Sequence, residues 1–184
     1  MFLAFFVLDR YCKKRPHDAC ALHVFGLISE QLGHLEFAME RISLAISILE
    51  ANYEETEDPQ VERQFTMATS NLARLKLSLQ DYEGASGSFE SILGLLSEED
   101  EDPVTKALRA QAQFGSGLAN FKLGNLEAAL TMFEAALETA GDNLVIKGQV
   151  TVLLAQALWA IGTDEFKENA KTQLLEWLVL LLWK

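Results

Sequence analysis

Proline, cysteine and positive charge are all scarce in this chain. Three prolines in 184 residues leave long stretches free of the residue that breaks helices. Two cysteines, Cys12 and Cys20, could form one bridge with each other at most, and are read instead as reduced thiols buried in helices. Lys and Arg number 15 against 27 Asp and Glu, a formal charge of −12. That balance disfavours direct contact with nucleic acid, whose affinity comes largely from cations neutralising phosphates. It disfavours an anionic membrane surface equally, and a basic partner face would be attracted. No Asn-x-Ser/Thr acceptor occurs, in keeping with an expected cytoplasmic location, the nucleus being the alternative. Strand-type alternation is missing at useful length. The apolar run from Leu174 to Trp183, broken by Glu176, is about half of what a bilayer-spanning helix needs. The opening Met1–Leu8 is apolar like a signal segment, yet it has neither a basic leader nor a small-residue cleavage site. It is read as the inner face of a helix whose partner lies upstream, and both apolar ends as faces of a longer array.

What the chain has is helical periodicity and a hydrophobic share of 49%, ample for a core. The pattern predicts helices over 2–14, 19–31, 35–53, 59–79, 82–97, 103–122, 125–140, 143–161 and 165–183. Asp58-Pro59 and Asp102-Pro103 each set an N-cap carboxylate before a proline at the first helical position. Asp18 is placed to cap the second helix in the same way. Gly33, Gly124 and Gly162 fall where a left-handed residue ends a helix; the second turn has Gln80 instead, and should be less ideal. From turn to turn the spacing is 47, 44 and 38 residues, counting Gly33, Gln80, Gly124 and Gly162. The excess length carries two acidic runs, Glu54–Asp58 and Glu98–Asp102, read as solvated surface.

One motif recurs: a small residue, a leucine-containing turn, then alanine and a bulky apolar residue four positions on. Its clearest copy is Gly117–Leu137, echoed by Gly26–Ala45, Ala73–Phe89 and, more weakly, from Ala155. Gly26, Ala73, Gly117 and Ala155 are placed where the first helix of a pair crosses the second. Ala38, Ala85 and Ala129 stand opposite, with Ile42, Phe89 and Phe133 filling the space one turn later. Close helix approach requires small side chains at the crossing and large ones beside it. In the last unit, Ala170 and Leu174 take these places after a three-residue insertion.

This pattern resembles the tetratricopeptide repeat (TPR) family, whose standard unit is about 34 residues. The usual opening tryptophan is replaced by Leu22, Thr69, Gln113 and Thr151, and a terminal proline by Gly141. The expected fold is an all-α, TPR-like solenoid of helical hairpins cut from a longer superhelix. Its parts would be a half repeat at 1–17, repeats at 18–58, 59–102 and 103–142, and a weaker one at 143–184. More narrowly, Leu22–Leu27, Tyr53–Phe65, Leu108–Ala119 and Gly148–Gln156 are similar to the TPR scaffolds of fungal superkiller complexes. That resemblance implies a cytoplasmic scaffold holding a helicase and WD-repeat propellers and assisting 3′-to-5′ mRNA decay by the exosome.

An enzyme is not expected. Gly115-Ser116-Gly117 lacks the last glycine and the preceding strand of a dinucleotide fingerprint. His17, His23 and His34 do not have the spacing of a zinc helix, and no cofactor or metal is expected. The family instead implies a binding groove lined by the first helix of each pair. Here that face would carry His23, Leu27, Glu30, Met67, Arg74, Leu77, Phe114, Leu118, Phe121, Val152, Gln156 and Trp159. Such an apolar, aromatic lining suits an extended peptide or a partner helix. The competing reading is that these residues are buried within the array. A chaperone-type carboxylate clamp is disfavoured, since Arg74 and Lys122 are the cations near this face. A stand-alone peptide-binding adaptor or co-chaperone is the alternative function.

Overall fold

The computed structural model describes residues 1–96, 102–141 and 143–182. Among them are nine helices and no strand: α1 (Phe2–Lys14), α2 (Ala19–Gln31), α3 (Leu35–Thr56), α4 (Pro59–Ser78), α5 (Tyr82–Leu95), α6 (Pro103–Leu123), α7 (Leu126–Thr139), α8 (Leu144–Ile161) and α9 (Asp164–Leu182). The acidic run at 98–101 and Trp183 lie outside the described residues. The other run, Glu54–Asp58, is exposed throughout, as expected.

The caps act as the sequence implies. Asp18 accepts from the Ala21 amide, Asp58 from Gln60 and Asp102 from Thr105. Each satisfies a first-turn N–H that has no partner inside the helix. The turns ending α2, α4 and α6 share one hydrogen-bond pattern. His34, Asp81 and Asn125 amides reach back to Ser29, Lys76 and Asn120 carbonyls, each at 2.9 Å. The pattern needs a left-handed residue, supplied by Gly33 and Gly124, both at φ +83°, and by Gln80 at +63°. Gln80 therefore adopts a glycine's backbone, which makes its turn the strained member. α3 runs three residues beyond the expected end, to Thr56, and closes on Glu57 at φ +49°.

The chain divides into two compact units, 1–81 and 82–184. In the first, α1 packs on α2, α2 on α3 and α3 on α4. Phe5, Phe25 and Phe37 meet at centroid distances of 5.0–6.1 Å, two of the three contacts in the edge-on geometry aromatic pairs favour. Gly26 lies against Ile42 so closely that a Cβ would overlap it, so the predicted crossing is in place. α1 turns Phe5 and Leu8 inward, while Phe2, Leu3, Phe6 and Val7 are 58–78% exposed.

In the second unit α6 is wedged between α5 and α7, and α8 lies between α7 and α9. The Gly-Ser-Gly of α6 serves that wedge. A Cβ on Gly115 would collide with the Phe89 ring of α5, and one on Gly117 would stand 2.7 Å from the Phe133 ring of α7. Phe89 thus sits over Gly115. Apolar α8 has the length and composition of a membrane span, yet it contributes Val150, Leu154, Ala155, Ala157 and Leu158 to the core of this unit. One expectation fails at α9. Ala170 is buried as predicted, but Leu174 is 37% exposed. The Trp177 ring covers Gly148 instead, because the helix presents position 177 to α8 and turns position 174 outward. Cys12 is buried, but Cys20 is exposed and donates to Gln64 Oε1 at 3.3 Å.

Candidate functional site

The residues assigned to the groove divide between the two units. In the first, α2 offers positions 20, 23, 27 and 30, and α4 offers 64, 67, 71 and 74. Steps of three and four residues keep each set on one helical face. Polar pairs join the two helices. Asn71 Nδ2 donates to His23 Nε2 at 3.0 Å, which requires the tautomer protonated at Nδ1. Arg74 Nη1 and Nη2 donate to Glu30 Oε1 and Oε2 at 2.5 and 2.7 Å. This fork fixes both side chains, and Glu30 holds the Arg74 guanidinium above its ordinary pKa. Burial pushes the His23 imidazole below its usual range, so it is neutral at pH 7. Met67 is 44% exposed, whereas Leu27 and Leu77 are half-buried.

In the second unit the face is made by α6 and α8. Val152, Gln156 and Trp159 are exposed on α8, Trp159 by 54%, with Lys167 Nζ 5.9 Å from its ring centroid. The α6 residues behave differently. Leu118 is half-buried, while Phe114 and Phe121 pack against the core, Phe114 lying 6.4 Å from the Phe133 ring. These two phenylalanines are shared between surface and core.

Sequence reasoning missed Asn120. This buried α6 side chain donates to Ser86 Oγ of α5 at 3.1 Å and to the Ser116 carbonyl at 3.0 Å. Its Oδ1 accepts from Asn125 Nδ2 at 3.3 Å. A polar residue three positions after Gly117, on the buried side of α6 beside Ser116, was the available signal. Among the described residues, no group of three or more His, Cys, Asp or Glu side chains converges to hold a metal.

These features define an all-α array of TPR-like helical hairpins. The fold recurs in the MamA protein of Desulfovibrio magneticus, with a TM-score of 0.73 and 13% identity over 98% of this chain and 85% of that one. It recurs also in a Podosopora anserina putative kinesin light chain of nearly identical TPR-like repeats, with a TM-score of 0.71 and 15% identity over 98% and 87%. In sequence the chain resembles superkiller protein 3. It is 31% identical to the Schizosaccharomyces pombe protein over 174 residues, and 28% identical to the Saccharomyces cerevisiae protein over 171. Those alignments take in 94% and 93% of this chain, which spans 12% of the length of each relative. No protein-family model matches the chain.

Proposed function

We propose that this chain is a non-catalytic segment of a protein-interaction scaffold, working in a cytoplasmic superkiller-type assembly that assists exosome-dependent 3′-to-5′ mRNA decay. The observation that carries this reading is the 31% identity to superkiller protein 3 over 174 residues. The repeats at 18–58, 59–102, 103–142 and 143–184 and the half repeat at 1–17 belong to the proposal. So does a partner surface on each unit: His23, Leu27, Met67, Arg74 and Leu77 on one, Phe114, Leu118, Phe121, Gln156 and Trp159 on the other. The partners are protein subunits, a helicase and WD-repeat propellers by the same likeness, with no direct hold on nucleic acid or membrane. A co-chaperone clamp needs cations free to take a carboxylate, and Arg74 is already engaged by Glu30.

The test is purification of the complete protein that carries this segment, tagged, from cells. Trp159→Ala and Met67→Ala remove exposed anchors, and exposed aromatic anchors carry about 2 kcal/mol or more when a partner buries them. Helicase and propeller subunits should be depleted from the variant eluates while the protein's own level is unchanged. Full recovery of both with a double variant removes these faces from the proposal, and absence of both from the wild-type eluate removes the assembly.

A further inference from the structure

Two helices present an apolar stripe to solvent, α1 in the first unit and α9 in the second. In α1, Phe5, Leu8 and Cys12 turn into the core of their unit. The opposite stripe is Leu3, Val7, Arg10 and Lys14, all exposed, Leu3 by 78% and Val7 by 58%. In α9, Phe166, Ala170 and Trp177 turn inward. Its opposite stripe is Asp164, Glu168, Leu175 and Val179, again exposed, Leu175 by 61% and Val179 by 53%. Leu175 and Val179, with Thr172 and Glu176, line an open depression of about 510 Å³. Apolar surface grouped in this way marks an interaction site.

The two stripes are complementary to each other. From its N-terminus α1 runs apolar then basic, whereas α9 runs acidic then apolar. Laid antiparallel, as helices joined by short turns pack, like meets like in polarity and opposite meets opposite in charge. One register satisfies every position. Lys14 stands opposite Asp164, Arg10 opposite Glu168 and Leu3 opposite Leu175, because both stripes step by four and then seven residues. Val7 falls beside Thr172, whose hydroxyl already donates to the Glu168 carbonyl at 3.0 Å. The helices also differ in net charge: α1 holds three cations to one carboxylate, and α9 four carboxylates to two cations. Lys13 is taken by Asp9, and Lys171 holds Oε2 of Glu168. Arg10, Lys14 and Asp164 make no ion pair among the described residues, so they are available to a partner.

We propose that the outer face of α1 in one copy of this chain packs on the outer face of α9 in a second copy, antiparallel and in this register. The contact is heterologous, so the pair still carries one open face of each kind and further copies can add. An anionic membrane surface would attract the α1 stripe and repel that of α9, and so accounts for one face alone. The inference does not rest on the proposed assembly.

A single helix pair buries less than a standard interface, so the association is weak and a concentration series is required. Sedimentation velocity up to millimolar chain should show reversible association that weakens severalfold between about 50 and about 300 mM salt. Leu3→Glu and Leu175→Glu, both at exposed positions, should each leave a monomer with an unchanged melting temperature. Mixed in equal amounts, these two variants should form a one-to-one dimer and nothing larger, since each supplies the face the other lacks. Arg10→Glu with Lys14→Glu should weaken association severalfold, and adding Asp164→Lys with Glu168→Lys to the same chain should recover it. In cells, two differently tagged copies of the complete protein should co-purify, and should cease to do so when both carry Leu3→Glu. The proposal is overturned if the wild type is monomeric at every concentration, if either single variant still associates, or if the mixture gives no dimer. It is overturned equally if the tagged copies do not co-purify, which leaves these faces to other parts of the polypeptide, or if a monomeric wild type binds vesicles of anionic lipid through Leu3, which assigns α1 to a membrane.

Discussion

Replacing Gly117 by alanine puts two opposing effects in one residue. In an exposed helix this change stabilises by about 1 kcal/mol, since glycine loses more backbone entropy on folding. At Gly117 the new methyl would stand 2.7 Å from both Cδ1 and Cε1 of Phe133 and 3.2 Å from Met132 Cβ. Phe133 is fully buried among Ala129, Ala136 and Phe114, so its ring cannot swing aside. Overpacking of this kind costs about 1–3 kcal/mol. The net change should therefore be a destabilisation of about 0–2 kcal/mol. Gly87 supplies the control, because it lies exposed on α5 with nothing within 4 Å of an added methyl. Gly87→Ala should stabilise by about 1 kcal/mol. Both glycines belong to the second unit, so both report on the same cooperative transition. A difference of about 2 kcal/mol corresponds to roughly 4–8 °C in melting temperature for a chain of this size, readily seen by circular dichroism. Phe133→Leu combined with Gly117→Ala should recover part of the loss, giving a coupling energy between the two sites. If Gly117→Ala raises the melting temperature as much as Gly87→Ala, the crossing of α6 and α7 is not where the reasoning puts it.

Gln80→Gly should stabilise the chain by up to about 1 kcal/mol, since the left-handed backbone at φ +63° then carries no Cβ penalty; urea titration measures it, and an unchanged midpoint refutes the strain. Asn120→Leu removes one partner of Ser86, which keeps its bond to Glu90, and the acceptor of exposed Asn125, and should cost about 0.5–1.5 kcal/mol, read by the same titration; a neutral result would make the network ornamental. The His23 effect follows from its depressed pKa: below about 6.5 the unfolded chain binds the extra proton first. Stability should therefore fall as pH drops below that value toward the folded pKa, and His23→Gln should flatten this part of the profile in melts taken from neutral to mildly acidic pH. Phe121→Ala should lower the melting temperature because Phe121 packs against the core, whereas Trp159→Ala, 54% exposed, should leave it nearly unchanged.

The helices and their ends were legible in the sequence because the signals are local. A 3.6-residue apolar period, Asp before Pro, and Gly one step past a helix act within a few residues, and α1, α2, α4, α6 and α8 begin and end within about two residues of expectation. The small-residue crossings at Gly26 and Gly117 were legible for a related reason: repetition of one motif exposes a shared packing requirement. The likeness to superkiller protein 3 lay in the residues as well. What tertiary structure decided is which side of a helix meets which neighbour. No local rule places Phe89 on Gly115, turns Trp177 rather than Leu174 onto α8, or leaves Cys20 in solvent. Nor does the sequence show that Arg74 is closed by a glutamate 44 residues away while Arg41 Nε has no partner. These outcomes depend on helix rotation and on distances between side chains remote in the chain, and a rotation of one residue's angle exchanges a core position for a surface one.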